Sequence, residues 1–358
     1  MPLSEAEQRR YNRQTLVPEF GQAGQEKLKS AKILTIGCGG LGSPALLYLA
    51  AAGVGKLGIV DADRVEVSNL QRQILYDTAA VGRLKVDEAQ ARIRALNPLV
   101  EVQKYALQLT RDNALEVIEP YDVVIDGTDN FATRYLINDA CVLLNKPLVY
   151  GAVHRFEGQI SVFNYQNTIN YRDLFPQPPP PEMAPNCAEA GVLGVLPGII
   201  GTLQATEAIK IASGVGQVLT GKLLLFDAIS MTFRTVRIIK NPSGYRIEKL
   251  IDYGDFCGTR APENTTQITA AELKTWIDDH TDFQLIDVRN ADEHARLNLG
   301  GLLIPLPEIE NRRGEIDRHR PVVVHCQSGA RSLRAVEVLR KKYGFTNLVN
   351  LKNGLLDV

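Results

Sequence analysis

The run Gly37-Cys38-Gly39-Gly40-Leu41-Gly42 is a G-x-G-x-x-G turn. Glycines let a backbone come close to an anion, and a helix starting there offers unpaired N–H groups and a positive dipole end. Asp61 follows at about 20 residues' distance, where a carboxylate can bond a ribose hydroxyl. Beyond it Ser68, Asn69, Leu70, Gln71, Arg72 and Lys85 gather amides and cations, and Asp129 and Asn130 come later in the chain. A second centre reads Val324-His325-Cys326-Gln327-Ser328-Gly329-Ala330-Arg331-Ser332. The N–H groups of such a loop can converge on one sulfur, and the helix after it favours an anion. Cys326 is therefore expected to be a low-pKa thiolate or a persulfide carrier.

The elements around these residues are legible in the pattern. A strand over 33–36 feeds the glycine turn, and a helix follows with Pro44 in its first turn, where a missing N–H costs nothing. That helix stops at Gly53, and a strand over 57–60 delivers Asp61. A helix over 85–96 closes at Asn97-Pro98. Further strands are expected over 100–105, 121–125, 148–150, 158–164, 223–226 and 232–239, with a helix over 196–213. Residues 5–30 read as a polar helix with a lead-in loop. Residues 165–185, which include Pro178-Pro179-Pro180-Pro181, read as an extended loop. Residues 252–266 are polar and rich in turn formers, and are expected to link two domains, 1–251 and 267–358. In the second, Thr269-Ala270-Ala271-Glu272 opens a helix as a capping box, strands fall over 283–288 and 321–325, and a basic helix covers 332–342. The fold class is α/β throughout: a Rossmann-like sheet domain followed by a smaller α/β domain.

Composition narrows the options. A formal net charge of −1 gives no pull towards nucleic acid or membrane. No apolar run approaches the roughly 20 residues of a membrane span. The polar start, MPLSEAEQRR, has no signal-peptide core. Five scattered cysteines suit a reducing cytoplasm rather than a disulfide framework.

Two enzymatic chemistries compete for the glycine turn. A dehydrogenase would hold NAD there, yet His154 is the first domain's only histidine. A nucleotidyl transferase would hold ATP. Adenylation of a carboxylate needs positioning and charge neutralisation, which Asn69, Gln71, Arg72 and Lys85 can supply, with Asp129 able to hold Mg²⁺. In the second domain, Cys326 to Arg331 spans six residues; phosphatase loops use one more to wrap phosphate.

Arg10-Tyr11-Asn12-Arg13-Gln14, the glycine turn, Asp61-Ala62-Asp63, Ser68-Asn69-Leu70-Gln71-Arg72-Gln73, Lys85 and Asp126-Gly127-Thr128-Asp129-Asn130 together resemble the MoeB/ThiF family, relatives of ubiquitin-activating enzymes. The resemblance covers roughly residues 5–250. It implies a homodimer that adenylates the C-terminal glycine of a ubiquitin-like sulfur carrier protein of the MoaD/ThiS kind. By motif matching, Gly37, Gly39, Gly40, Gly42, Asp61, Ser68 to Arg72, Lys85, Asp129 and Asn130 bind ATP, with Asp129 at the Mg²⁺. Arg13 resembles the arginine that reaches the phosphates from the neighbouring subunit. Cys187 matches a cysteine on the crossover loop that forms thioester or persulfide links.

Residues of about 267–358 resemble rhodaneses, through the cysteine loop, Asp287-Val288-Arg289, and Gly300-Gly301 to Ile304-Pro305-Leu306. The closing Gly-Gly and Trp pattern is altered to Asn353-Gly354-Leu355-Leu356-Asp357-Val358. The whole is similar to MoeB–rhodanese fusions of molybdopterin and thiamin sulfur transfer. This implies that a sulfur donor, a desulfurase or thiosulfate, loads Cys326. The persulfide attacks the acyl-adenylate, and reduction or Cys187 releases a thiocarboxylate. An NAD-dependent oxidoreductase with an accessory rhodanese, and a nucleotide-gated scaffold for a ubiquitin-like protein, are the alternatives. Many relatives carry two C-x-x-C pairs around zinc. Here those positions read Asn170-Tyr171-Arg172-Asp173 and Gly254-Asp255-Phe256-Cys257, so no structural zinc is expected.

Overall fold

In a computed structural model the described residues are 2–179, 191–240, 246–257 and 266–357. They form two units. The first holds the described residues up to Pro178 and those from 191 to Phe256; the second holds Pro179 and those from Cys257 onward.

The first unit is built on eight strands: β1 (Lys32–Ile36), β2 (Lys56–Val60), β3 (Glu101–Tyr105), β4 (Val123–Asp126), β5 (Leu148–His154), β6 (Glu157–Phe163), β7 (Lys222–Asp227) and β8 (Thr232–Arg237). Their order is β3-β2-β1-β4-β5-β6-β7-β8. β3 to β5 pair in parallel around β1, and β6, β7 and β8 continue antiparallel. β4 is buried along its whole length, and β1 and β2 after their first residue, as expected for parallel strands covered on both faces. Chain order reverses between β1 and β4, which is where open α/β sheets leave a crevice at their carboxyl ends. Register aligns the three strand ends there, Ile36 beside both Val60 and Asp126. The glycine turn, Asp61 and the loop after Asp126 therefore start at one level.

The second unit is a five-stranded parallel sheet, β9 (Thr266–Ile268), β10 (Gln284–Asp287), β11 (Leu302–Leu303), β12 (Val322–His325) and β13 (Leu348–Leu351). The order β11-β10-β12-β13-β9 makes β12 central. The capping box between Thr269 and Glu272 opens Ala270–Asp278 as the sequence indicates.

Several expectations need correction. Residues 5–30 form two helices, Glu5–Thr15 and Gly21–Ser30, because Pro18 and Gly21 (φ +57°) break the run between them. The stretch from 165 is not loop throughout: Tyr171–Leu174 is a helical turn, closed by reciprocal bonds between Asn170 and Asp173. The strand expected over 232–239 ends at Arg237. Cys141 lies on a helix, as the sequence indicates; its bounds are Phe131–Leu143, and it starts from an Asn130 cap.

Tyr253–Phe256, within the stretch read as linker, is a helical turn of the first unit. Arg172 donates from Nε and Nη2 to the Asp139 carboxylate at 2.8 and 2.7 Å, and the Tyr253 hydroxyl donates to the same carboxylate at 2.8 Å. The Arg172 guanidinium also lies over the rings of Phe256, at 4.6 Å, and Tyr135, at 5.0 Å. Asp139 and Arg172 are both buried, so removing either partner strands the other's charge, a loss of about 3–5 kcal/mol in comparable cores. This cluster ties the 170–173 turn to the 253–256 turn.

Candidate functional site

The glycine turn is shaped by close backbone approach. Gly37 adopts φ +93°, and a Cβ there would meet the Gly127 carbonyl, while one on Gly42 would overlap the Gly37 carbonyl oxygen. The turn after β1 and the loop after β4 thus touch through bare backbone, which only glycine allows. Gly40 packs beside Pro197 and Arg72. Among the described residues, the N–H groups of Gly39, Gly40 and Leu41 have no protein acceptor. They leave the mouth of the helix Gly42–Ala52 with free donors.

Asp61 accepts from the Cys38 N–H at 2.8 Å and from the Asp63 N–H at 2.9 Å. Burial pushes its carboxyl up, against the pull of Lys85 and these two N–H groups. The Lys85 Nζ sits 2.8 Å from Asp63, with Asp61 as a second carboxylate acting on it. Burial alone lowers an ammonium, yet here the two carboxylates outweigh it and the Lys85 pKa is raised. Asp63 was not singled out from the sequence as a site residue. Its signal was its place two residues after Asp61, which lets its N–H fold back on that carboxylate.

The amide-and-cation segment divides in two. Asn69 is buried and structural, its Oδ1 accepting from the Glu66 N–H at 3.2 Å. Ser68 donates to Glu66 at 3.1 Å, and Leu70 packs against the core. Gln71 is exposed and lies beside Gly194. Arg72 is half-buried, with Nη1 donating to the Ser68 carbonyl at 3.0 Å. After β4, Asp126 is fully buried and accepts from Thr128 and Arg134. Arg134 also donates to the Thr128 carbonyl at 3.0 Å. This bracing presents Asp129 as an exposed carboxylate with no partner among the described residues. Asn130 spends its carbonyl on capping, accepting from the Thr133 N–H at 2.9 Å.

Arg13 lies on the helix Glu5–Thr15, exposed and without an ion pair among the described residues. That helix is anchored on its own unit: the Tyr11 hydroxyl accepts from Asn97 at 2.8 Å, and Gln14 bonds the Ala52 carbonyl at 3.2 Å. Cys187 lies outside the described residues.

In the second unit Cys326 follows central β12 and is fully buried. Its Sγ accepts from the Gly329 N–H at 3.1 Å and from the Ser332 hydroxyl at 3.6 Å. The altered C-terminal turn braces this loop. Leu355 N–H donates to the Cys326 carbonyl at 3.0 Å, and Gly354, at φ +60°, packs on the Gln327 carbonyl. Arg331 is paired with Glu293 through two bonds of 2.8 and 2.7 Å. Arg289 is clasped by Asp287, and His294 bonds the same carboxylate at 2.9 Å. Burial opposes the Asp287 charge, but these donors outweigh it and hold the group below its usual range. Nothing in the sequence flagged Glu293 or His294.

His325, beside Cys326, is fully buried, and neither ring nitrogen has a partner among the described residues. Burial lowers its pKa from 6.5 to about 4, against the pull of Asp287. Below pH 6.5 the unfolded chain then binds a proton the folded unit refuses. Stability is complete above that value and falls as the pH drops towards 4, by up to about 3 kcal/mol. Denaturant unfolding followed through Trp276, the chain's single tryptophan and a residue of this unit, should show that loss. His325→Leu should flatten it, and an unchanged slope would refute the assignment.

Free backbone donors at a sheet switch point and a cradled cysteine define two sites of different chemistry. Residues 11–246 match the ThiF family, and residues 269–358 match the rhodanese-like domain. The chain belongs to the ThiF family and carries a rhodanese-like domain behind that module. It is 46% identical, over 99% of its length and 93% of the relative's, to a Mycobacterium tuberculosis protein described as probable adenylyltransferase/sulfurtransferase MoeZ. It is 44% identical to the Anopheles gambiae adenylyltransferase and sulfurtransferase MOCS3, covering 97% of this chain and 84% of that one. The Thermus thermophilus sulfur carrier protein adenylyltransferase is 52% identical over 70% of this chain and 97% of its own. Among solved structures, PaaA superposes with a TM-score of 0.58 at 25% identity, covering 67% of this chain and 76% of that one. Escherichia coli MccB with ATP gives 0.58 at 21%, over 68% and 75%, a likeness of fold.

Proposed function

We propose that this protein is an adenylyltransferase and sulfurtransferase that activates the C-terminal glycine of a ubiquitin-like sulfur carrier protein and converts it to a thiocarboxylate. The observation that carries the reading is the presence, in one chain, of a glycine turn with free N–H groups beside Lys85 and Arg72, and of a cysteine cradled by a rhodanese loop. The MoeZ and MOCS3 relatives carry both activities in their descriptions. Supply of sulfur for molybdenum cofactor synthesis is the pathway this suggests. No described helix is long and apolar enough to cross a membrane, and we place the reaction in the cytoplasm. We read the two working domains as the unit that ends at Phe256 and the sheet unit that starts with β9 at Thr266, joined by the residues between them.

In the first step ATP lies along the glycine turn, Asp61 takes the ribose, and Lys85 and Arg72 meet the phosphates. Asp129 is a free oxygen donor suited to Mg²⁺, which would neutralise phosphate charge when bound. A carrier carboxylate oxygen attacks the α-phosphorus. The new P–O bond forms as the bridge to the β-phosphate breaks, and pyrophosphate leaves with the electron pair. The terminal sulfur of a Cys326 persulfide then attacks the acyl carbon, a C–S bond replaces the C–O bond, and AMP leaves. The product is an acyl disulfide on Cys326. Two electrons from a thiol reductant, or attack of Cys187 on Cys326 Sγ followed by reduction of the resulting disulfide, release the thiocarboxylate. We read the protein as a homodimer in which Arg13 reaches the partner's phosphates.

Carrier-dependent exchange of labelled pyrophosphate into ATP tests the first step. Its absence with a panel of ubiquitin-like carriers would sink the proposal and leave the scaffold reading; NAD binding instead of ATP binding would favour an oxidoreductase. We also read the chain as free of structural zinc, because the Arg172–Asp139–Tyr253 cluster already joins the two turns that zinc would staple. Elemental analysis of protein dialysed against chelator should find none; one zinc per chain would overturn this.

A further inference from the structure

We propose that Tyr76 is a positioning residue for nucleotide phosphate, holding the glycine turn's peptide between Cys38 and Gly39 in its anion-binding orientation. This rests on the reading of that turn as the ATP site. The Tyr76 hydroxyl donates to the Cys38 carbonyl at 2.9 Å from within the core, and the Ser43 hydroxyl adds a longer bond of 3.3 Å to the same oxygen. The described chain has no cis peptide. Across a trans peptide the C=O and the following N–H point in opposite directions. Drawing the Cys38 carbonyl towards Tyr76 therefore turns the Gly39 N–H the other way, where it has no protein acceptor.

The peptide needs holding because its second residue is glycine. A rotation of the 38–39 plane would change φ of Gly39 by a large angle, which costs a residue without Cβ little. The rotated turn would show a carbonyl oxygen to the incoming phosphate and repel it. Residue 38 is fixed on its other side too, its N–H donating to Asp61 at 2.8 Å. The ribose acid and the tyrosine thus hold successive peptide planes of the turn. Burial and the carboxylates of Asp61 and Asp63 push the Tyr76 phenol well up, so the hydroxyl keeps its proton and remains a donor.

Tyr76→Phe removes the donor and keeps the ring that packs in the core. Binding of ATP, AMP and adenosine to wild type and variant, read by ligand-observed NMR titration, separates the roles. A lost orienting hydrogen bond should weaken ATP about three- to tenfold, with AMP weakened in the same direction and adenosine unchanged within about twofold. Adding Ser43→Ala should deepen the ATP loss and spare adenosine. Parallel weakening of ATP and adenosine would mean that Tyr76 only packs, and overturns the inference. So does unchanged ATP affinity in a variant whose wild type binds ATP. Wild-type protein that binds no ATP overturns the nucleotide reading itself, and this inference with it.

Discussion

Cys326→Ser is expected to abolish thiocarboxylate formation, by at least about a thousandfold, while carrier-dependent pyrophosphate exchange continues near the wild-type rate. In the proposed reaction the transferable sulfur resides on Cys326, and no other cysteine among the described residues joins the core cluster around it. A serine hydroxyl fills nearly the same volume, so the donors from Gly329 and Ser332 keep partners and the loop keeps its shape. The residues proposed to hold nucleotide are untouched, because the glycine turn, Asp61 and Lys85 belong to the other unit. The two outputs are read on one sample, exchange by label and thiocarboxylate by mass spectrometry with thiosulfate as sole donor. Thiocarboxylate made at the wild-type rate by the variant would remove Cys326 from the mechanism.

Much of this arrangement is legible in residue order. β1, the glycine turn, β2 and Asp61 follow from a short apolar run, a glycine pattern and a well-spaced acid, all local signals within one βαβ unit. The helix Lys85–Leu96 begins and ends where its pattern and Asn97-Pro98 place it. The failures share a cause, contact between residues far apart in sequence. The bounds of Phe131–Leu143, on which Cys141 is expected, are hidden because most of its middle is buried on both sides, from Arg134 to Cys141. A helix buried all round has no amphipathic stripe to read. Tyr253–Phe256 is too short for periodicity and is held by Asp139, more than 100 residues away. The partners of Lys85 and Arg331 are similar cases. Sequence shows that a cation is present near a motif, and only folding shows that Asp63 and Glu293 face it.

Asp129→Ala and Arg13→Ala should each lower adenylation by about a hundred- to a thousandfold, the first by removing a ligand for the Mg²⁺ that would neutralise phosphate charge and the second by removing a cation proposed to meet it. Neither change should unfold the protein, because both side chains are exposed and carry no structural bond among the described residues. The two losses differ in where the missing group belongs. Asp129 sits on a loop braced by Asp126 and Arg134 of its own chain, so in the proposed mechanism it serves its own subunit's nucleotide. Arg13 projects from a helix pinned to its own unit through Tyr11 and Gln14, which leaves it able to serve a neighbour. In a heterodimer of the two variants, the subunit carrying Arg13→Ala keeps its own Asp129 and receives an intact Arg13 from its partner. The other subunit lacks both groups. One site of two then works, and random pairing makes about half of the dimers mixed, so the blend should recover about a quarter of wild-type activity. If Arg13 acts within its own chain, each site in the mixed dimer lacks one group and nothing is recovered. Exchange activity in affinity-purified mixed dimers decides between these, and its absence there would place Arg13 in its own subunit's site or outside the reaction.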